Sequence, residues 1–512
     1  MWQRLWTTPR HRNSMAMRSS SSTLTRKTRS GCLTCKSRRV KCDEQKPSCL
    51  RCLSTHRICE GYSHPIHPNL TFDSLLDEER RAFLYFRSQT AHRIFGHQDA
   101  NDWMSTLLQM GHSEVPIKHA LTAIASLHES QEPLGASVSV RRSEKHAQIT
   151  AQTLALKRYS AAIKAVRSES PNMSPRPEII LALCILFICF EQFRSGDAAC
   201  LLHLKAGLRL IYWWRSRTSV YANLQEYSRP TLDFINNHIT PALQRLRVQF
   251  SLCMDSRHKL MNLGVPLCLP PPNVPSSYSS FISARIDFDR TMNYILSYLE
   301  TRQSSDGVLP TQSPMAVLCR WKTSLDASTF SEERPVLQRC TRNLLELYFH
   351  VSVVIIETYH AKTESIFDQH TPRFAIIVDL AENISSMCVE KSEDFSLLFS
   401  FDLGITPPMF LVASRCRQPL IRRKAVALML QSPIYHGAWQ DRYSGLCAQR
   451  IIEIEEEKID VVMDSITVPE ERRIRKVSAD LQDEQSHIIM QFMRSPFDAT
   501  SQICTTSVPL AY

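Results

Sequence analysis

Six cysteines near the N-terminus have a regular spacing. Cys32, Cys35, Cys42, Cys49, Cys52 and Cys59 form the pattern C-x2-C-x6-C twice, with six residues between the halves. Zinc takes four tetrahedral ligands, and thiolates two residues apart can reach one ion from a single turn. Six sulfurs satisfy two such ions only if two of the thiolates bridge. The pattern therefore predicts a structural site for two zinc ions, with no open position for the water or substrate of a zinc enzyme.

Two other uses of these cysteines are weaker. A disulfide framework is typical of secreted chains, and no secretory signal peptide is found. Of the 17 cysteines in the chain, the 11 others have no ligand spacing, which favours small apolar residues in a reducing compartment. A single four-thiolate site that leaves Cys42 and Cys59 without a metal is the stronger alternative.

The loop inside the first half of the pattern is strongly basic. Residues 36–41 contain four cations, whereas the matching loop of the second half, residues 53–58, contains only Arg57. Arginine and lysine are the side chains that bind guanine O6 and N7 in the major groove, and they also contact phosphates. The first half is therefore predicted to bind DNA and the second half to act mainly as scaffold. The candidate DNA-binding residues are Lys36, Arg38, Arg39 and Lys41.

The positive charge of the chain is concentrated in this region. Residues 1–62 hold 14 lysines and arginines against three acids, a net charge of +11, which equals the net charge of all 512 residues. The remaining 450 residues are formally neutral, because +11 minus +11 is zero. A segregated basic segment of this kind indicates a nucleic-acid partner.

The cysteine region resembles the fungal binuclear zinc-cluster transcription factors. The resemblance rests on residues 30–43, 46–49 and 59–62, which include the basic loop and Pro47. It implies that Cys32 and Cys49 are the bridging thiolates. It also implies two zinc ions per chain and a sequence-specific regulator of RNA polymerase II transcription that works in the nucleus and is not an enzyme.

The same resemblance assigns roles to the basic loop. Arg39 occupies the position at which the family places a lysine or arginine that reads a CGG-type triplet. Arg38 and Lys41 would assist, chiefly at phosphates. Double-stranded DNA is thus the expected partner, and Pro47 would turn the loop between the two halves.

The segments around the cluster are harder to assign. Residues 1–25 are predicted to be a disordered basic tail, although an arginine- and serine-rich start without acids is also typical of a mitochondrial presequence. The cluster domain is assigned to residues 26–62 and a linker with two prolines to residues 63–73. No heptad pattern follows the linker. The chain is accordingly expected to bind DNA as a monomer, or as a homodimer that pairs through its large domain.

Residues 74–480 are predicted to form an all-helical regulatory domain. Only 12 glycines occur in the chain, and none forms a phosphate-binding loop; hydrolase and zinc-protease motifs are missing too. Helix starts are predicted at residues 113–116 and at Pro177, the latter leading into the apolar run Ile179 to Phe190. That run is shorter than the roughly 20 residues that span a bilayer, so we predict a buried core helix and no membrane partner.

The large region also resembles the fungal-specific regulatory domain that follows such clusters. The resemblance is carried by residues 111–129, 185–191, 399–408 and 415–423, and it implies a mostly α fold. An alternative function is a ligand-sensing or enzyme-like helical domain for which the zinc cluster only provides localisation on DNA. A regulatory ligand or co-regulator is not identified by the sequence.

Two charged segments have competing interpretations. The basic run Arg422 to Lys424 could be a second nucleic-acid patch, but we favour the solvated side of a helix whose Ile421 and Val426 face inward. Residues 451–466 mix six acids with apolar residues, as activation segments do, yet an ordinary amphipathic helix is favoured. Residues 481–512 are assigned to a C-terminal tail without a predicted structure.

Overall fold

The fold comes from a computed structural model, which is mostly α-helical. It describes most of the cysteine region and the large domain. The N-terminal residues 1–31 and the segment 60–76 lie outside the described part, and with them the predicted tail and linker. The described residues are 32–43, 45, 49–55, 57, 59, 77–91, 94, 105–131, 138–168, 176–194, 197–220, 229–252, 271–301, 312–330, 335–389, 404–431, 441–459, 468–482, 487–495 and 503–509.

Two short helices build the N-terminal unit, which we call the head (residues 32–59). Helix α1 spans Leu33–Ser37 and helix α2 spans Leu50–Leu53. The buried centre of the head consists of cysteines rather than aliphatic side chains. A unit of this size cannot bury enough apolar surface for a stable core, so it needs a cross-link such as a metal.

The rest of the chain, which we call the body (residues 77–509), contains two hydrophobic cores. Helices of the first core are α3 (Asp77–Tyr85), extended by a π-helical turn (Phe86–Thr90), α4 (Val115–Glu129), α5 (Val138–Ser168), α6 (Pro177–Phe193), α7 (Asp197–Val220), α8 (Arg229–Phe234), extended by a second π-helical turn (Ile235–Ile239), and α9 (Thr240–Leu252). The predicted start at Pro177 is confirmed, and the helix predicted to start within residues 113–116 begins at Val115. A proline in the first turn fits these starts, because its missing N–H has no helical partner there.

Helix α6 lies at the centre of the first core. Every side chain from Leu181 to Phe193 is buried, as predicted for the apolar run. Neighbouring helices pack against it, with the Tyr159 ring stacked on Phe190 at a centroid distance of 4.2 Å. A helix that is apolar on all sides needs neighbours on all sides, which explains its central position among the helices of this core. None of the described helices is both long and apolar enough to cross a membrane.

The second core is built from helices and a small sheet. Its helices are α10 (Phe281–Thr301), α11 (Pro314–Asp326), α12 (Pro335–Thr358), α13 (Thr371–Val389), α14 (Thr406–Arg415), α15 (Pro419–Leu430) and α16 (Asp441–Glu456), with short 3-10 turns at Ser365–His370 and Glu470–Arg472. Trp321 is fully buried, and its indole N–H donates to the carbonyl oxygen of Ala284 at 2.9 Å. The Tyr348 hydroxyl donates to the carbonyl of Gly404 at 2.8 Å. These large aromatic side chains thus satisfy their polar atoms.

The C-terminal residues correct the expectation of an all-helical region followed by a tail. Strands β1 (Ile474–Gln482), β2 (His487–Arg494) and β3 (Cys504–Pro509) form an antiparallel sheet in the order β1-β2-β3. Ile488, Met490 and Phe492 alternate along β2 and are buried in the second core. Because side chains two residues apart share one face of a strand, these three anchor the sheet on the helices.

A buried group of charges links the end of the helices to this sheet. Glu455 is fully buried and accepts hydrogen bonds from Arg417 at 2.8 Å and from Arg422 at 2.7 Å. Its carboxylate also accepts from the main-chain N–H of Ile474 at 2.7 Å, at the start of β1. Burial alone would raise the pKa of Glu455, but the two guanidinium groups and these hydrogen bonds lower it to about 2.

The expectation that the basic run is a solvated helix side is wrong for Arg422. This side chain is fully buried and paired with Glu455, whereas Arg423 is exposed as predicted and Lys424 is partly exposed. The physical reason is that a carboxylate buried on α16 needs a cation opposite it, and α15 supplies one. Arg417 supplies the second from the loop between α14 and α15.

Candidate metal centre and nucleic-acid interface

The two halves of the head have the same backbone construction. The N–H of Cys35 donates to the sulfur of Cys32 at 3.3 Å, and the N–H of Cys52 donates to the sulfur of Cys49 at the same distance. Each of these bonds forms at the start of a short helix. Since Cys32 and Cys49 are 17 residues apart in the chain, the repeated spacing in the sequence corresponds to a repeated structure.

The six sulfurs form two overlapping groups of four. One group is Cys32, Cys35, Cys42 and Cys49, and the other is Cys32, Cys49, Cys52 and Cys59. Within each group the sulfur atoms all lie within 4.8 Å of one another. Two members, Cys32 and Cys49, are common to both groups and lie 3.6 Å apart. No disulfide joins any of the cysteines in the described part of the chain.

These distances fit tetrahedral zinc. A zinc–sulfur bond is about 2.3 Å long, which places two sulfurs of one tetrahedron about 3.8 Å apart. The Cys32–Cys49 and Cys35–Cys49 distances are 3.6 Å and the Cys32–Cys52 distance is 3.8 Å. All of these side chains are buried, so a bound metal would be shielded from water and would have a closed ligand set. The residues present therefore fit two zinc ions with two shared thiolates.

Burial also sets the protonation of these thiols. It raises the pKa values of Cys32, Cys35 and Cys49 above the ordinary value, whereas contacts with the neighbouring thiols lower the pKa of Cys52. Thiols with raised pKa values keep their protons at neutral pH until a metal binds, so zinc must displace protons when it enters the site.

The end of helix α1 holds Arg39 in an uncommon backbone conformation. The N–H of Val40 donates to the carbonyl of Cys35 at 3.1 Å, which closes the helix with a Schellman-type bond. Arg39 occupies the left-handed position of this turn, with φ 55°. Glycine is the usual residue there, because a side chain costs free energy at positive φ. The second half repeats the bond from Arg57 to Cys52 at 3.0 Å.

The structure places the predicted DNA-binding residues as follows. Arg39 and Lys41 are exposed on the first half, and no described carboxylate pairs with either of them. Arg38 is half-buried and donates to the hydroxyl of Thr55 at 3.3 Å, so it joins the first half to the second. The side chain of Lys36 lies outside the described part. In the sequence of the second half, Leu53 and Thr55 take the positions of Lys36 and Arg38, so the second half lacks these two cations.

One residue of the site was not found from the sequence. The carboxylate of Asp43 accepts from the main-chain N–H groups of Leu50 at 2.8 Å and of Arg51 at 3.0 Å. These are the first N–H groups of α2, which have no partner inside the helix. Asp43 therefore ties the end of the first half to the start of the second. The only signal in the sequence is an acid after the third cysteine, which does not reveal its distant partner.

Comparison with known proteins agrees with this geometry. Residues 30–68 match the profile described as fungal Zn(2)-Cys(6) binuclear cluster domain. Residues 81–236 match the profile described as fungal specific transcription factor domain, which corresponds closely to the first core of the body. No solved structure matches the chain significantly.

Several curated proteins are similar to this chain. The aspercryptin biosynthesis cluster-specific transcription regulator atnN of Emericella nidulans is 25% identical over 411 residues, which cover 70% of this chain and 64% of that protein. The transcription regulator lscL of Purpureocillium lilacinum is 26% identical over 232 residues, 40% of this chain and 51% of that protein. The transcriptional regulatory protein moc3 of Schizosaccharomyces pombe is 65% identical over 37 residues, 7% of each chain.

The chain thus spans less than two thirds of the length of the first two of these relatives. The match to moc3 covers only 37 residues, whereas the matches over 411 and 232 residues are longer than the head and include part of the helical body. The chain thus carries a fungal Zn(2)-Cys(6) binuclear cluster domain followed by a fungal specific transcription factor domain, and it is similar to proteins that are named as transcription regulators.

Proposed function

We propose that this protein is a sequence-specific, zinc-dependent regulator of RNA polymerase II transcription that reads a CGG-type DNA triplet through the first half of its cluster. The observation that carries the proposal is the exposure of Arg39 and Lys41 beside a buried group of six thiols. A guanidinium can bind guanine with two hydrogen bonds, and a lysine near it can contact a phosphate.

Each thiol has a role in this proposal. Cys32, Cys35, Cys42 and Cys49 would hold one zinc ion, and Cys32, Cys49, Cys52 and Cys59 would hold the other. When bound, zinc supplies structural cross-links and no catalytic step. Helix α1 then presents Arg39 at its end, while Asp43 and the contact from Arg38 to Thr55 keep the second half in place as scaffold.

The proposal extends to the whole chain. It divides the protein into a cluster domain (26–62), a linker (63–73) and a regulatory domain that begins near residue 74. A single head makes a small DNA interface, in the class of about 600 to 1,000 Å². Useful specificity therefore calls for two heads on one site, as a homodimer would provide, and the site of action is the nucleus.

The test is DNA binding by the full-length, zinc-loaded chain to CGG-containing and scrambled duplexes. Arg39→Ala should remove the preference for the triplet, a loss of about 1 to 3 kcal/mol in discrimination. Lys41→Ala should weaken binding to both duplexes alike and reduce the salt dependence by about one phosphate contact. Equal losses on both duplexes for both variants would contradict the proposed roles.

A further inference from the structure

The long helix α5 has one face without acidic residues. Residues 148–168 contain four cations and no aspartate or glutamate. One of the cations, Arg158, turns inward and pairs with the buried Glu79 at 3.1 Å. The other three, Lys157, Lys164 and Arg167, are exposed.

These three cations lie along one side of the helix. Residues seven apart are two turns apart on the same face, which places Lys164 in line with Lys157, and Arg167 follows one turn later. Ser160, also exposed, lies between them. With a rise of about 1.5 Å per residue, the cations extend over about 15 Å. The spacing suits several phosphates of one DNA strand or of a groove edge.

The charge on this face is not compensated within the described part of the body. None of the three cations pairs there with a carboxylate, whereas other exposed cations do. Arg176 pairs with Glu114 at 2.8 Å, and Lys424 pairs with Glu382 at the same distance. Among the described residues, the face of α5 therefore has a positive potential.

Helix α7 lies beside α5, since the Tyr159 hydroxyl and the His203 Nε2 are 3.0 Å apart. On α7, burial is the main cause that lowers the pKa of Lys205, and the nearby Arg209 lowers it further.

The body is covalently linked to the head, so DNA bound by the head is the polyanion that lies nearest to the α5 face. Residues 60–76 separate Cys59 from the first helix of the body, so even a fully extended chain spans at most about 60 Å. When the head is bound to its triplet, the body is held within a few helical turns of the duplex. Tethering of this kind gives an effective concentration in the millimolar range, at which a weak basic contact is populated.

We infer that the exposed face of α5, formed by Lys157, Lys164 and Arg167, is a second and sequence-independent contact with the DNA backbone next to the triplet. The inference rests on the proposed reading of DNA by the head. It assigns to the body a direct part in affinity, with specificity left to Arg39.

The experiment uses the full-length zinc-loaded chain and two duplexes that share one triplet. A duplex of about 10 base pairs is largely filled by the head, and one of about 40 base pairs extends past the reach of the tether on both sides. The variant is Lys157→Gln/Lys164→Gln/Arg167→Gln. Its matched control is Arg290→Gln/Lys424→Gln/Arg450→Gln, which removes three exposed or partly exposed cations that already have acidic partners.

The salt dependence of binding is the main readout. Each lost phosphate contact should lower the slope of log affinity against log salt by about 0.9, so the α5 variant should lose up to about 2.7 on the long duplex. The wild type and the control should keep the steeper slope there. A slope on the long duplex that is the same for the wild type and the α5 variant would overturn the inference.

One further variant distinguishes a DNA contact from a protein contact at this face. Ile149 and Leu156 are exposed on its border, and Ile149→Ser/Leu156→Ser should leave DNA binding unchanged. If this variant, rather than the basic one, alters binding, the face contacts protein and the inference fails.

A wild-type chain without triplet preference would count against the proposed function. Triplet preference with an unchanged slope would count against the α5 contact alone.

Discussion

The sulfur atoms of Cys32 and Cys49 lie 3.6 Å apart and are the two that belong to both four-thiol groups of the head. Each is the first cysteine of its half and precedes a short helix whose N–H points at its sulfur. Cys32 and Cys49 are thus equivalent positions of the two halves and belong to both four-thiol groups, whereas each of the other four cysteines belongs to one group.

This arrangement predicts different zinc contents for two single variants. Cys59→Ala removes a ligand of one group only and should leave about one tightly bound zinc per chain. Cys49→Ala removes a ligand of both groups and should reduce both sites together. Native mass spectrometry of the full-length chain would give the stoichiometry. Equal zinc loss in the two variants would contradict a shared role for Cys49.

Because Arg39 has a left-handed backbone conformation, two substitutions at this position can separate its effect on stability from its effect on DNA recognition. Arg39→Gly should stabilise the zinc-loaded head by about 1 kcal/mol relative to Arg39→Ala, because glycine adopts positive φ without steric cost. Both variants should lose triplet preference to the same extent, since both lack the guanidinium. Denaturant unfolding, monitored by the release of zinc, measures the difference in stability. DNA titration measures the triplet preference.

The outcome for Arg39 also tests why that residue is tolerated in the turn. If Arg39→Gly and Arg39→Ala have equal stability, the positive φ at this position carries no cost. If Arg39→Gly keeps the triplet preference, the arginine does not read the bases.

The sequence predicted the head better than the body. Repeated cysteine spacing and a basic loop are local signals, so the grouping of thiols and the exposure of Arg39 could be expected from them. The contact from Asp43 to α2 could not, because an isolated acid does not indicate which distant N–H groups it will meet. Nor does the spacing indicate that Arg38 reaches Thr55 across the two halves.

In the body, long helices followed from apolar runs and prolines, but two features were missed. Arg422 belongs to a run of cations that is typical of a solvated helix face, and its burial is explained by Glu455 on another helix. Strand β2 alternates Ile488, Met490 and Phe492, but such a short period-two pattern is weak beside polar flanks. Both features depend on partners that are distant in the chain.

The buried charges predict a large loss of stability from one substitution. Glu455→Leu leaves Arg417 and Arg422 buried without their shared carboxylate and should cost about 3 to 5 kcal/mol in the free energy of unfolding. Replacing all three residues with apolar ones should cost less, because no unpaired charge remains. Denaturant unfolding of the three proteins measures this, and an equal cost for the single and triple variants would contradict the predicted role of the unpaired charges.

The same carboxylate predicts the direction of acid sensitivity. The pKa of Glu455 is about 2 in the folded protein, below its ordinary value of 4.5. Its contribution to stability is therefore present above pH 4.5 and is lost as the pH falls toward 2, by about 3 kcal/mol at most. Unfolding free energies between pH 6 and pH 3 should fall more steeply for the wild type than for Glu455→Gln. Parallel curves would show that another acid is responsible.

Adjacent residues of strand β2 test whether the C-terminal residues belong to the fold. Met490 is fully buried in the second core, whereas Gln491 is exposed on the opposite face of the strand. Met490→Ala should lower the free energy of unfolding by about 2 to 5 kcal/mol, because it removes buried apolar volume. Gln491→Ala should change it by less than about 0.5 kcal/mol. If the C-terminal residues were not packed on the helices, the two variants would have the same free energy of unfolding. A difference between these neighbouring positions therefore indicates the alternating burial of a strand that packs on the core.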